Sequence, residues 1–145
     1  MMAADFLKEI EEKAITTAIE AAEKGTSGEI RVHLEPNCSE LALDRASEVF
    51  AELHMHKTRL RNGVLIYVAY EDHKFAIIGD GGINAVVEDD FWSKEKEILY
   101  THFKDGKYTT GICEAINGIG AILHKHFPFR DDLSGELPNE ISFGE

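Results

Sequence analysis

The sequence predicts an α/β domain built on a small mixed sheet flanked by helices, and three observations carry that reading. Two nearly unbroken apolar runs, GVLIYVAY (63–70) and KFAIIG (74–79), are rich in β-branched and aromatic residues, as strands covered on both faces are. An earlier run, EIRVHLE (29–35), alternates strictly between apolar and polar. Stretches of helical periodicity lie around and between these runs, so the order is helix, strand, helix, strand, strand, helix, helix. The 145 residues suit one domain with one core.

Asp5 can cap a first helix whose apolar positions Phe6, Ile10, Ala14, Ala18 and Ala22 recur near every four residues, and Gly25 should stop it. In the strand that follows, Ile30, Val32 and Leu34 share one face and Glu29, Arg31, His33 and Glu35 the other. That predicts a wetted face near a sheet edge. Pro36 ends the strand, and Ser39 can cap a second helix that buries Ala42, Ala46, Val49, Phe50 and Leu53. The two apolar runs come next as the sheet's centre. Only Glu71, Asp72 and His73 separate them, which fits an antiparallel hairpin and leaves no room for a crossover.

A third helix is expected from about Asp90 to Lys104, burying Phe91 or Trp92 with Ile98, Leu99 and Phe103, and closed at Asp105-Gly106. A fourth, from about Thr110 to His126, buries Ile112, Ala115, Ile116, Ile119, Ile122 and Leu123, and Pro128 stops it. From Phe129 onward periodicity is lost. Residues 1–128 therefore read as a single domain, and 129–145 as an irregular tail packed on or extending from it.

Composition narrows the partners. A net charge of −12 repels phosphate backbones and anionic lipid, so nucleic acid is excluded as a partner and cations or basic protein patches are favoured. No segment is long and apolar enough to insert in a membrane, and the start MMAADFLKEIEEK lacks the basic and apolar regions of a secretory signal. The expectation is a cytoplasmic monomer. Cys38 and Cys113 lack any paired spacing and read as reduced structural residues.

The stretch GDGGINAVVEDD (79–90) holds the chemistry. A parallel crossover followed by a hairpin brings the end of the third strand beside the start of the second and near the start of the first. Gly79-Asp80-Gly81-Gly82, Arg61-Asn62-Gly63 and Ser27-Gly28-Glu29 should then meet on one rim, with Glu88-Asp89-Asp90 descending from the next helix. Two carboxylates about 4 Å apart repel by roughly 1 kcal/mol in bulk water and about 4 kcal/mol near a protein surface. A divalent cation relieves that repulsion, and Asp80, Asn84, Asp89, Asp90 and glycine carbonyls are the oxygen donors that calcium or magnesium prefers. The spacing is not that of an EF-hand, since Gly82 and Phe91 fall where that loop needs ligands. The plain alternative is a turn at Asp80-Gly81-Gly82 and acids facing a helix N-terminus.

Other motifs weaken on inspection. His54-Met55-His56 and His124-Lys125-His126 cannot chelate while helical, because residues two apart point in different directions. Gly79-x-Gly81 after a strand lacks the third glycine of a dinucleotide site, Asn84 standing in its place. Phe91 and Trp92 read as core anchors.

The motifs Ser27-Gly28-Glu29-Ile30-Arg31-Val32, Arg61-Asn62-Gly63-Val64-Leu65-Ile66 and Ile78-Gly79-Asp80-Gly81-Gly82-Ile83 resemble the TPM domain, a family named for a thylakoid lumen protein, a photosystem II repair protein and a nematode channel regulator. Phe103 to Gly111 is similar to the family's segment between its last two helices. The resemblance implies a three-layer α/β/α sandwich and a crevice at the sheet's end that binds calcium or magnesium, with a phosphatase activity assigned to some members. By position it implies Asn62, Asp80, Asn84, Asp89 and Asp90 as metal-site residues, with Arg61 beside them as a phosphate or partner contact.

Three functions follow. The favoured one is a cation-binding domain whose metal is structural or docks a protein partner, because the chain supplies no convincing nucleophile or general base. The others are a metal-assisted phosphatase at the same crevice and a metal-free interaction module.

Overall fold

The computed structural model describes residues 3–129 and 141–144. Its strands are β1 (Glu29–Glu35), β2 (Gly63–Ala69), β3 (Lys74–Gly79) and β4 (Ser142–Phe143), in the spatial order β3-β2-β1-β4. β1 and β2 run parallel with Glu29 opposite Gly63, while β2 and β3 are antiparallel with Val64 opposite Gly79. The crossover and the hairpin are both as expected.

Two strand positions differ from expectation. Ser142 and Phe143 pair in parallel with His33 and Leu34, so β1 is an inner strand and not an edge. β3, expected at the centre, is an edge strand. β1 is flanked by a short strand at the far end of the chain whose two residues carry no periodicity to read, and β3 is an edge because no strand lies beyond it among the described residues. Residues 130–140 and 145 of the expected tail lie outside the described residues.

The first helix is two helices, α1 (Ala3–Glu9) and α2 (Glu12–Glu23), so Asp5 falls inside α1 and not ahead of it. Thr109 holds the break: the Glu11 N–H donates to Thr109 Oγ1 (3.1 Å), and that hydroxyl donates to the Glu9 carbonyl (3.0 Å). The break shifts the buried stripe to Ile15, Ile19 and Ala22. Ala14 and Ala18, expected inside, are half-buried.

After β1 come α3 (Ala42–Glu52), capped at Leu41 and not at Ser39, and a 3₁₀ turn at Met55–Lys57. A single turn, α4 (Gly81–Asn84), follows β3, then α5 (Phe91–Lys104) and α6 (Tyr108–His126). α5 and α6 lie within two residues of their predicted bounds.

The layers follow from strand alternation. Ile30, Val32 and Leu34 of β1 and Val64, Ile66 and Val68 of β2 meet α1, α2, α5 and α6 in the larger core. On the other face Leu65, Tyr67 and Ala76 pack beneath α3 with Cys38 and Met55. The result is the three-layer α/β/α arrangement.

The expected wetted face of β1 is buried along its whole length. Its far end holds a closed polar network. Glu35 accepts from Arg45 Nε (2.9 Å) and Nη2 (3.0 Å), from the Tyr67 hydroxyl, and bonds His33 Nε2 (3.0 Å). Burial alone would raise the Glu35 pKa, but Arg45, Tyr67 and His33 together bring it down to about 2. The polar groups of this network are tolerated inside because each finds a partner.

Candidate functional site

Three loops meet at one end of the sheet, as the topology requires. The Asp80 N–H donates to the Gly63 carbonyl (3.0 Å), the Gly82 N–H to the Arg61 carbonyl (2.7 Å) and the Glu29 N–H to the Asn62 carbonyl (3.5 Å). Gly82 is tight: a Cβ there would stand 2.0 Å from the Leu60 oxygen and 2.6 Å from the Arg61 oxygen. Only glycine lets these two turns touch.

At the centre of the rim Arg61 holds Asp80 by two bonds, and Gly81 N–H adds a third at 2.8 Å. Burial works against the Asp80 anion, but the Arg61 guanidinium and the Gly81 amide hold its pKa below the usual carboxylate value. A hollow of about 340 Å³ opens beside the pair, lined by Phe50, His56, Arg61 and Asp80.

Asn62, next to Arg61 in the chain, is 1% exposed. Its amide nitrogen donates to Ser27 Oγ (3.4 Å), and its Oδ1 has no hydrogen-bond partner among the described residues. Turning the amide over exchanges which end meets Ser27 and still leaves the other end unsatisfied. A buried polar atom without a partner marks a place where a water or a ligand fits.

Of the other predicted donors, Asn84 and Asp90 are engaged elsewhere. Asn84 donates to the Gly79 carbonyl (2.8 Å) and accepts from the Trp92 indole (2.8 Å), tying α5 to the end of β3. Gly79 makes room for that contact, since a Cβ would meet Trp92 at 2.4 Å. Asp90 pairs with Lys94 (3.1 Å) and lines a separate hollow with Lys125 and His126. Asp89 is exposed. The structure thus gathers Arg61, Asn62 and Asp80, and joins neither Asp89 nor Asp90 to them by any hydrogen bond or ion pair among the described residues.

The fit to a hard cation is partial. Asp80 and the Asn62 oxygen are donors of the right type, but no three His, Cys, Asp or Glu side chains converge among the described residues. Arg61 already bonds both Asp80 oxygens, so an ion binding there competes with the guanidinium.

Three further polar features were not visible in the sequence. Glu23 accepts from the Ile30 N–H (2.8 Å) at the start of β1, where burial and the neighbouring Glu29 push its pKa up to about 8. Glu95 lies against Gly118 of α6, 7% exposed, and burial raises it to about 7. Ser142 Oγ, His33 and Glu35 form a bonded series with the connectivity of a hydrolytic relay. Glu35 is already closed by Arg45 and Tyr67, and neither Ser142 nor His33 lines any hollow described here, so the series serves to fasten β4.

The rim and the sheet order bear comparison with known proteins. Residues 1–122 match the family model described as TPM domain. The chain belongs to the TPM domain family. No curated protein matches it. Among solved structures it is similar to the BA42 protein from the psychrophilic bacterium Bizionia argentinensis, with 49% identity over 99% of this chain and 96% of that one and a TM-score of 0.84. The N-terminal domain of the cg2496 protein from Corynebacterium glutamicum shares the fold at 12% identity, over 95% of this chain and 82% of that one, with a TM-score of 0.61. The N-terminal domain of a protein from P. gingivalis does so at 14% identity, over 84% and 83%, with a TM-score of 0.64. Among the described residues of this TPM domain, no helix is long and apolar enough to cross a membrane.

Proposed function

We propose that this TPM domain is a non-catalytic binding module whose rim takes a calcium or magnesium ion in competition with Arg61. The observation that carries this is Asp80: a nearly buried carboxylate, kept ionised, whose one ion-pair partner among the described residues is a guanidinium with a half-exposed side chain. An ion that strips Arg61 from Asp80 gains one charged oxygen donor, and the sequence neighbour Asn62 holds an amide oxygen without a partner among the described residues. Few protein donors leave most of the coordination shell to water, which places the affinity in the millimolar range. Bound there, the ion supplies a positive centre for an anionic group of a protein partner. Arg61, once freed, adds a second.

Phosphatase chemistry draws less support from the rim, because both Asp80 oxygens accept from Arg61 and His56 is left as the base beside the hollow. A metal-free module has one observation in its favour, since Arg61 already neutralises Asp80.

Amide NMR titration with calcium and with magnesium decides between them. Shifts centred on residues 61–63 and 79–82, lost in Asp80→Asn and reached at about tenfold lower ion concentration in Arg61→Met, are the expected outcome. No shift in either the native chain or Arg61→Met, or shifts that survive Asp80→Asn, would overturn the proposal. Metal-dependent turnover of p-nitrophenyl phosphate that Asp80→Asn abolishes would restore the phosphatase reading.

A further inference from the structure

β3 is an edge strand, and it carries almost none of the devices that blunt edges. Its register with β2 runs from Lys74 to Gly79 without a bulge, and it contains no proline. Its one charge, Lys74, is turned back onto the Cys38 and Glu40 carbonyls (2.9 Å each).

The direction of its backbone groups follows from the ladder. The Asp80 N–H bonds the Gly63 carbonyl, so Ile78, Ala76 and Lys74 also face β2. Phe75, Ile77 and Gly79 therefore direct their N–H and C=O groups outward. Asn84 takes the Gly79 carbonyl. The groups of Phe75 and Ile77 pair with no strand among the described residues.

Along this edge lies a trough. A hollow of about 640 Å³ runs over Phe75 to Gly79 between Leu41 and Leu43 on one wall and Trp92 and Lys96 on the other. It shares Phe75 with a hollow that reaches Tyr100 and Lys104, and shares Ser47, Ile78 and Gly79 with the one at Arg61. Leu41 and Leu43 stand 73% and 56% exposed there, although they are leucines at the start of a helix whose other face is core.

The charge of the trough is opposite to that of the molecule. The chain carries −12, yet the trough is lined by Lys96, Lys104 and Arg61 against one acid, Asp80, which Arg61 neutralises. Edge-to-edge pairing with a second copy would bring two chains of −12 together and set lysine against lysine, which disfavours a homodimer.

We propose that β3 is a strand-addition site for an extended segment of a partner protein, with apolar residues at alternate positions and carboxylates where it passes Lys96 and Lys104. Main-chain bonds to Phe75 and Ile77 supply affinity, and the leucine and tryptophan walls receive alternate side chains. The site needs no cation, so it stands or falls independently of ion binding at Asp80.

The test pans a displayed library of random octapeptides against the full chain in EDTA, with the Lys96→Glu, Lys104→Glu variant as counter-target. Both lysines are exposed, and the fold of the variant is checked by its amide spectrum. The expected result is enrichment of apolar-alternating acidic peptides that protect the Phe75 and Ile77 amides from exchange by about tenfold or more. The same peptides should weaken by about tenfold on the double variant, and on methylation of their alternate backbone nitrogens. Failure to enrich any peptide, enriched peptides that shift other surfaces, or binding indifferent to charge reversal and to N-methylation would each overturn the proposal. So would a concentration-dependent dimer in which Phe75 and Ile77 are protected without peptide.

Discussion

Arg61 grips Asp80 at two points, Nε at 2.6 Å from Oδ2 and Nη2 at 2.7 Å from Oδ1, and takes a left-handed backbone (φ 53°) in doing so. The two partners are unequally placed, with side-chain exposures of 55% and 7%. Loss of the arginine charge leaves a buried carboxylate with no ion-pair partner among the described residues, whereas loss of the aspartate charge leaves a guanidinium free to turn to water. Arg61→Met should therefore lower the melting temperature at pH 7 more than Asp80→Asn does, with the gap narrowing in acid as Asp80 protonates. Equal shifts would show that the pair is a surface contact of little weight.

Adjacent glycines in the rim make a paired test. A Cβ on Gly81 meets nothing within 4 Å, while one on Gly82 runs into two backbone oxygens that cannot step aside. Gly81→Ala should change stability by less than about 0.5 kcal/mol. Gly82→Ala should lose about 1–3 kcal/mol and disturb the amide shifts of residues 60–63. Urea unfolding of the two variants checks both.

Thr109 governs the break between α1 and α2 through a hydroxyl that accepts from Glu11 and donates to Glu9. Thr109→Val keeps the shape and removes both bonds, so about 1–2 kcal/mol should be lost in urea unfolding. Increased hydrogen exchange should be confined to the residues around Glu9–Glu12.

Long local patterns were legible in the sequence, and contacts between distant segments were not. The runs 63–70 and 74–79 announce β2 and β3 because composition alone marks them, and Ile112 to Leu123 mark α6 by period. The convergence of Arg61, Asn62 and Asp80 could be deduced from connection lengths. What they do on meeting could not, since nothing local says that Arg61 will claim Asp80 or that Asn84 will serve Trp92. The alternation in EIRVHLE fits a solvated face and a satisfied buried one equally well. It took Arg45, Tyr67 and Ser142, from three other elements, to decide which.

Three acids, Glu35 and Glu95 buried and Glu23 half-buried, give the pH profile opposing limbs. Glu35 has its pKa lowered from 4.5 to about 2, so the stability it contributes is complete above pH 4.5 and is lost as pH falls toward 2. Glu95 is raised from 4.5 to about 7 and Glu23 from 4.5 to about 8, so their contributions are complete below pH 4.5 and vanish as pH rises through 7 and 8. Unfolding free energy should then peak near pH 5 and decline toward pH 8, where a carboxylate is forced on each buried site. Glu95→Gln removes the charge at a buried oxygen without a partner among the described residues and should gain on the order of 2 kcal/mol at pH 8 with no gain at pH 4. Tyr67→Phe acts on the other limb: it withdraws one donor from Glu35, costs about 1–3 kcal/mol at pH 7, and moves the acid transition to higher pH. Urea unfolding from pH 3 to pH 9 separates the two effects. A profile that keeps rising to pH 8, or a Glu95→Gln gain that is the same at pH 4, would mean that Glu95 meets water its surroundings do not suggest.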